Sequence, residues 1–146
     1  MNNAFAHAVR LLSTREHGAH ELVSKLTTKG YEAEAIEGAI LECQRLGLQS
    51  DSRFVEHVCR VRIRQGYGPV RIRRELQSLH IESELIEDIL GQEKENWLSH
   101  AIGVWKKKYK KQEDYSYDEI QKQKQFLLYR GFSTDTITMI FKEMIP

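Results

Sequence analysis

Apolar residues recur along the chain at helical spacing, and the pattern repeats. A shift of 50 positions carries Leu22, Leu26, Tyr31, Ile36 and Ile40 onto Ile72, Leu76, Ile81, Ile86 and Leu90. The same shift carries Ala8, Leu11 and Gly18 onto Val58, Val61 and Gly68. A further 51 positions carry Leu26, Gly30, Tyr31, Ile36 and Ile40 onto Leu127, Gly131, Phe132, Ile137 and Phe141. Residues at i and i+4 share one face of a helix, so each unit predicts two amphipathic helices joined at a turn, preceded by a third. The apolar residue between the paired helices (Tyr31, Ile81, Phe132) is expected to tuck under the corner.

The first unit predicts helices over Asn2–Ser13, Gly18–Lys29 and Glu32–Leu46, with Gly30 and Gly47 as stops. In the second, Ser50 or Asp51 can cap a helix that runs to Arg64 or Gln65. Helices over Pro69–Leu79 and Glu82–Gly91 follow. The third predicts Lys94–Lys111, a polar linker over Lys110–Tyr117, Asp118–Tyr129 ending at Gly131, and a last helix capped by Ser133 and reaching Met144. Between Glu82 and Lys110 no proline intervenes, so the last helix of the second unit is expected to run into the first of the third. With no hairpin signal and few alternating β-branched runs, the fold class is all-α: three tandem three-helix repeats over residues 1–49, 50–92 and 93–146. Units this small have small cores and are expected to stack end to end as an elongated array.

The chain has 146 residues, 40% of them hydrophobic, and a net charge of +1. No apolar run approaches the roughly 18 residues that span a membrane. The first residues lack a signal-peptide pattern, and two cysteines are too few for a disulfide framework, so a cytoplasmic location is expected. Catalysis is not expected. The six histidines are scattered, and no phosphate-binding loop, nucleophile elbow or metal-ligand spacing is present. Cys43 and Cys59 are expected to pack in apolar surroundings; no cofactor and no metal are expected.

Charge is segregated within this neutral total. Residues 52–91 carry seven arginines against six acids, and residues 92–146 carry ten basic side chains, nine of them lysine. Cys59–Leu76 holds six arginines around Gly66-Tyr67-Gly68-Pro69. Gly66 and Gly68 are expected to relieve backbone strain at this corner, and Pro69 pre-sets the first turn of the next helix. Guanidinium forks suit carboxylates and phosphates. The candidate partner-binding residues are Arg60, Arg64, Arg71, Arg73 and Arg74. The alternative is a solvated face with local pairs such as Arg71–Glu75, and Arg62, on the apolar register, is expected to be tied down internally. A second candidate is Lys106, Lys107, Lys108, Lys110 and Lys111 with interleaved aromatics, as a nucleic-acid contact with stacking rings. Its alternative is a helix C-terminus whose lysines face the dipole, with Trp105 and Tyr109 in the core.

Two motifs carry a family resemblance. Glu21-Leu22, Lys25-Leu26 and Lys29-Gly30-Tyr31 form one; Arg60 to Leu76, as RxRxRxGxGPxRIxxEL, forms the other. Both resemble the RecX family, regulators of the RecA recombinase, and the resemblance spans the chain. It implies a monomer of three tandem three-helix repeats that binds the RecA–single-stranded DNA filament. It further implies inhibition of RecA ATP hydrolysis, strand exchange and stimulation of repressor self-cleavage, with weak binding to single- or double-stranded DNA and none to membranes. This chain departs from the pattern at Gln123, where the other units have Leu22 and Ile72, and at His80, where a turn glycine is expected. The basic leading arm of some relatives is not expected here. A stand-alone helical DNA-binding protein is the alternative function. Against it stands the acidic start, five basic residues to seven acids over residues 1–51. A structural adaptor of the helical-repeat kind is a third.

Overall fold

The protein is described by a computed structural model covering residues 3–109 and 115–144. Among these, the regular elements are helices: α1 (Asn3–Thr14), α2 (Ala19–Thr28), α3 (Ala33–Arg45), α4 (Asp51–Arg64), α5 (Pro69–Ser78), α6 (Ser83–Gln92), α7 (Trp97–Lys108), α8 (Tyr117–Tyr129) and α9 (Thr134–Met144). Most apolar positions that define the repeat are buried, and so are Ile81 and Phe132 at their corners, whereas Tyr31, Leu11 and Val61 are half-buried. Leu22, Ile72 and Gln123, Leu26, Leu76 and Leu127, and Ile36, Ile86 and Ile137 are all buried, as are Ile40, Leu90 and Phe141. An amphipathic helix gains most of its stability from burying that face, at roughly 25 cal/mol per Å² of apolar surface.

The chain forms two compact units. The first comprises Met1–Val58 and Leu76–Ile86; the second comprises Cys59–Glu75 and Glu87–Pro146. In the first, Ala8, Leu22, Leu26, Ile36, Ile40 and Cys43 make a core flanked by Phe5, Leu12 and Tyr31. In the second, Trp97, Ala101 and Trp105 of α7 are buried with Leu127 of α8 and Ile137, Ile140 and Phe141 of α9. Both cysteines are buried thiols outside any disulfide, and burial pushes the Cys43 thiol pKa up.

Turn chemistry follows the sequence. Gly30, Gly66 and Gly131 adopt φ of 92°, 91° and 95°, and His80 occupies the equivalent turn of the second repeat at φ 59°. Histidine tolerates this left-handed region better than β-branched residues do. Ser133 caps α9 by accepting the Thr136 amide at 3.2 Å. Ser50 caps α4, accepting the Arg53 amide at 3.2 Å.

Two expectations are corrected. The last helix of the second repeat does not continue into the third: residues 93–96 form a turn between α6 and α7. The amides of Glu93, Lys94 and Asn96 bond back three residues, to Leu90, Gly91 and Glu93, which tightens the backbone out of the α-helical register. The second correction concerns Gly68, which is not in the left-handed region. It is glycine because the chain passes too close for a side chain: a Cβ there would sit 2.5 Å from the Gly131 carbonyl oxygen.

Candidate functional site

The arginine-rich stretch spans the C-terminal half of α4, the glycine corner and the first two turns of α5. Much of its chemistry is turned inward. Arg62 donates from Nε and Nη2 to the two carboxylate oxygens of Glu75, at 2.7 and 2.8 Å, and from Nη1 to Gln65 at 2.9 Å. The bidentate hydrogen bonds it donates to Glu75 raise the Arg62 pKa, with burial opposing. Arg62 is thus the tied arginine that its register foretold.

The corner itself docks on the turn between α8 and α9. The Gly68 amide donates to the Arg130 carbonyl at 2.8 Å, and the Val70 amide to the Gly131 carbonyl at 2.9 Å. Pro69, between them, has no amide to leave unpaired. Close approach is reciprocal, since a Cβ on Gly131 would meet Arg71 Cβ at 2.5 Å. Arg130 completes the clasp: its guanidinium donates to the Gln65 carbonyl at 3.1 Å and lies 5.2 Å from the Tyr67 ring centroid. Arg71 lies over the same ring at 4.0 Å. Such cation–π contacts stabilise by about 0.5–1 kcal/mol at exposed sites. Arg130 was not among the sequence candidates. Its only signal was its place before Gly131, the third-repeat match of Gly30.

Among the five arginine candidates, Arg73 pairs with Glu87 on α6 through two hydrogen bonds, and Arg71 covers Tyr67. Arg60, Arg64 and Arg74 are exposed, and their guanidinium groups make no hydrogen bond or ion pair to another described residue. Arg60 and Arg64 stand one turn apart on one face of α4, where like charges repel by a few tenths of a kcal/mol. Arg71 and Arg74 are similarly placed on α5. Two such pairs can receive carboxylates or phosphates in forked hydrogen bonds.

The lysine candidates divide. Lys106 and Lys107 are exposed on the last turn of α7. Lys108 lies 4.7 Å from the Phe126 ring centroid. Lys110 and Lys111 fall outside the described residues. Trp105 is buried and cannot stack on bases; its indole N–H donates to Gln123 Oε1 at 2.8 Å. Tyr109 is half-buried, edge-on to Phe126. Among the described residues no group of three histidine, cysteine or acidic side chains could hold a metal ion, and no helix is long and apolar enough to cross a membrane.

Family models match the chain in three consecutive parts: RecX, first three-helix domain, over residues 4–43; second, over 50–90; third, over 95–141. Regulatory protein RecX of Legionella pneumophila (strain Corby) is 54% identical over 144 residues, covering 99% of this chain and 96% of that protein. Its namesake in Vibrio vulnificus is 37% identical over 130 residues, covering 89% and 85%. A crystal structure of RecX from Lactobacillus salivarius superposes with a TM-score of 0.82 at 24% identity, covering 97% and 94% of the two chains, and shares the fold.

Proposed function

The chain belongs to the RecX family, and from that premise we propose that it is a regulator that binds the RecA–single-stranded DNA filament and inhibits it. Inhibition extends to ATP hydrolysis, strand exchange and coprotease activity. The protein acts without catalysis of its own and without a cofactor, in the cytoplasm where RecA works. Residues 1–49, 50–92 and 93–146 serve as its tandem modules. The regulatory role follows the names of the relatives, "Regulatory protein RecX".

One observation carries the site assignment. Arg60, Arg64 and Arg74 are exposed and unpaired among the described residues, on helices that a clasp and an internal ion pair hold in place. An anionic partner would relieve their mutual repulsion and receive forked hydrogen bonds. Exposed Lys106 and Lys107 extend the positive surface available to filament or DNA.

The test is RecA ATP hydrolysis on single-stranded DNA, titrated with this protein at fixed salt. The wild type lowers turnover. The triple change Arg60→Ala, Arg64→Ala and Arg74→Ala weakens inhibition by about tenfold or more, as expected for losing several charge-assisted contacts. Circular dichroism should be unchanged, because none of the three has a partner among the described residues. Equal inhibition by the triple variant would remove these residues from the site. Absence of inhibition, with tight binding to bare duplex DNA, would favour a stand-alone DNA-binding protein.

A further inference from the structure

In each repeat one position on the second helix governs what covers the line where the second and third helices meet. In the second repeat it is Arg73, whose guanidinium crosses to Glu87 on α6. In the third it is Lys124, whose ammonium lies 5.7 Å from the Phe141 ring centroid on α9. In the first repeat the same position is Val23, and the 50-residue shift that relates Arg73 to Val23 relates Glu87 to Glu37. Valine has neither the reach nor the charge to answer a carboxylate. Glu37 is exposed and makes no hydrogen bond or ion pair to another described residue.

Beside Glu37 a groove of about 360 Å³ lies between α2 and α3, lined by the apolar Val23, Ile36, Ile40 and Leu41 and by the polar His20 and Thr27. Val23 and Leu41 remain 39% and 58% exposed. Apolar surface held open next to an unanswered charge is a pattern expected of an interaction site.

We propose that this groove docks an amphipathic helix of a partner protein, which lays apolar side chains on Val23, Ile40 and Leu41 and extends an arginine or lysine to Glu37. The second repeat shows the chemistry that answers this carboxylate, a guanidinium from the neighbouring helix, and the first repeat leaves it to the partner. The sign disfavours an anionic occupant, since Glu34 stands one turn before Glu37 and is also exposed. Apolar anchors at i and i+4 match the spacing of a helix laid in a groove. The groove receives two or three side chains, far less than an interface of about 1,600 Å², so a peptide-like contact in the micromolar range is expected. This site is separate from the arginines of the second repeat and does not rest on the function proposed above.

The experiment uses the full chain and a fluorescent synthetic helix of about 16 residues with leucines at i and i+4 and one flanking arginine. A second probe carries glutamate in place of that arginine. Anisotropy on the wild type should show the arginine probe binding about tenfold more tightly than the glutamate probe. Val23→Arg rebuilds the Arg73–Glu87 bridge in the first repeat and should cut binding of the arginine probe about tenfold, with an unchanged thermal midpoint. Glu37→Lys, at an exposed position, should reverse the preference between the probes. Failure of the arginine probe to bind, or equal binding by wild type, Val23→Arg and Glu37→Lys, overturns the proposal. A wild-type dimer in sedimentation that Val23→Arg converts to monomer also overturns it, by assigning the groove to a second copy of this chain.

Discussion

Gln123 stands where the first two repeats bury a leucine and an isoleucine, and its reason is Trp105. The indole N–H reaches Gln123 Oε1 at 2.8 Å inside the third repeat. A buried donor without an acceptor costs about 1–3 kcal/mol, whereas removing both partners together is nearly neutral. Gln123→Leu should therefore lower stability by about that amount, and Trp105→Phe with Gln123→Leu should lose at least about 1 kcal/mol less than the sum of the singles. Chemical denaturation of the four proteins measures the coupling; strict additivity would sink it. His17 makes a second buried polar site, with Nδ1 3.0 Å from the Arg15 carbonyl and Nε2 3.0 Å from the Lys25 ammonium. A carbonyl only accepts, so Nδ1 carries the proton and Nε2 accepts from Lys25. Burial is the leading cause that pushes the His17 pKa below its ordinary 6.5, while the Arg15 carbonyl pulls the other way. The unfolded chain thus takes up a proton in a range where the folded chain does not. Stability from this group is full above pH 6.5 and falls as pH drops below it. Denaturant midpoints should decline from pH 7.5 to 5.5, and His17→Gln should flatten that decline; an unaltered profile would assign it to another group. Glu21 acts in a lower window. Burial raises its pKa, but the Arg15 hydrogen bond with the charges of His17, Arg15 and Lys25 outweighs that, so its contribution is lost as pH falls below 4.5.

Helix ends show local and tertiary solutions side by side. α8 is capped from within, by a box in which Ser116 accepts the Glu119 amide and the Glu119 carboxylate accepts the Ser116 amide. The N-cap of α2 is Gly18, which has no side chain to offer, and the acceptor for the Ala19 amide is Asp51 Oδ1 at 2.9 Å, supplied from the start of α4. Both Ser50 and Asp51 are good N-cap residues by type, so the sequence could not divide the two jobs between them. The Gly68–Gly131 clasp is a third solution, in which two turns share backbone hydrogen bonds because both residues lack a Cβ. Gly131→Ala is expected to cost about 1–3 kcal/mol from crowding Arg71, plus about 1–2 kcal/mol from its positive φ. Gly30→Ala, at similar φ with open space around it, should incur only the backbone part. Comparing the two in denaturant separates contact from conformation, and equal losses would refute the clasp.

For the molecule as a whole, charge placement matters more than total charge. A net charge of +1 gives little long-range steering, yet within Cys59–Leu76 three arginines have no partner among the described residues, beside three that are engaged. An inhibitory contact made through Arg60, Arg64 and Arg74 is screened once the Debye length falls below about 8–10 Å. Inhibition of RecA turnover should accordingly weaken as salt rises from 50 to 200 mM, and the triple alanine variant should show a shallower salt slope. Equal slopes would locate the electrostatic contact elsewhere on the chain.

What the sequence determined was everything that depends on short-range periodicity and turn chemistry. The apolar register set the repeats, the buried faces of Leu22, Ile72, Leu127 and their neighbours, and the turns at Gly30, His80 and Gly131. The RxRxRxGxGPxRIxxEL motif was legible as a family mark, but not as an internal framework. Which arginine meets Glu75, why Gly68 has no side chain, and that Arg130 closes the corner depend on residues 13 to 65 positions apart. The turn at residues 93–96 was equally hidden, since neither proline nor a paired glycine announces it. Periodicity records which side of a helix is buried; only the tertiary structure decides what that side, and every charged group around it, is buried against.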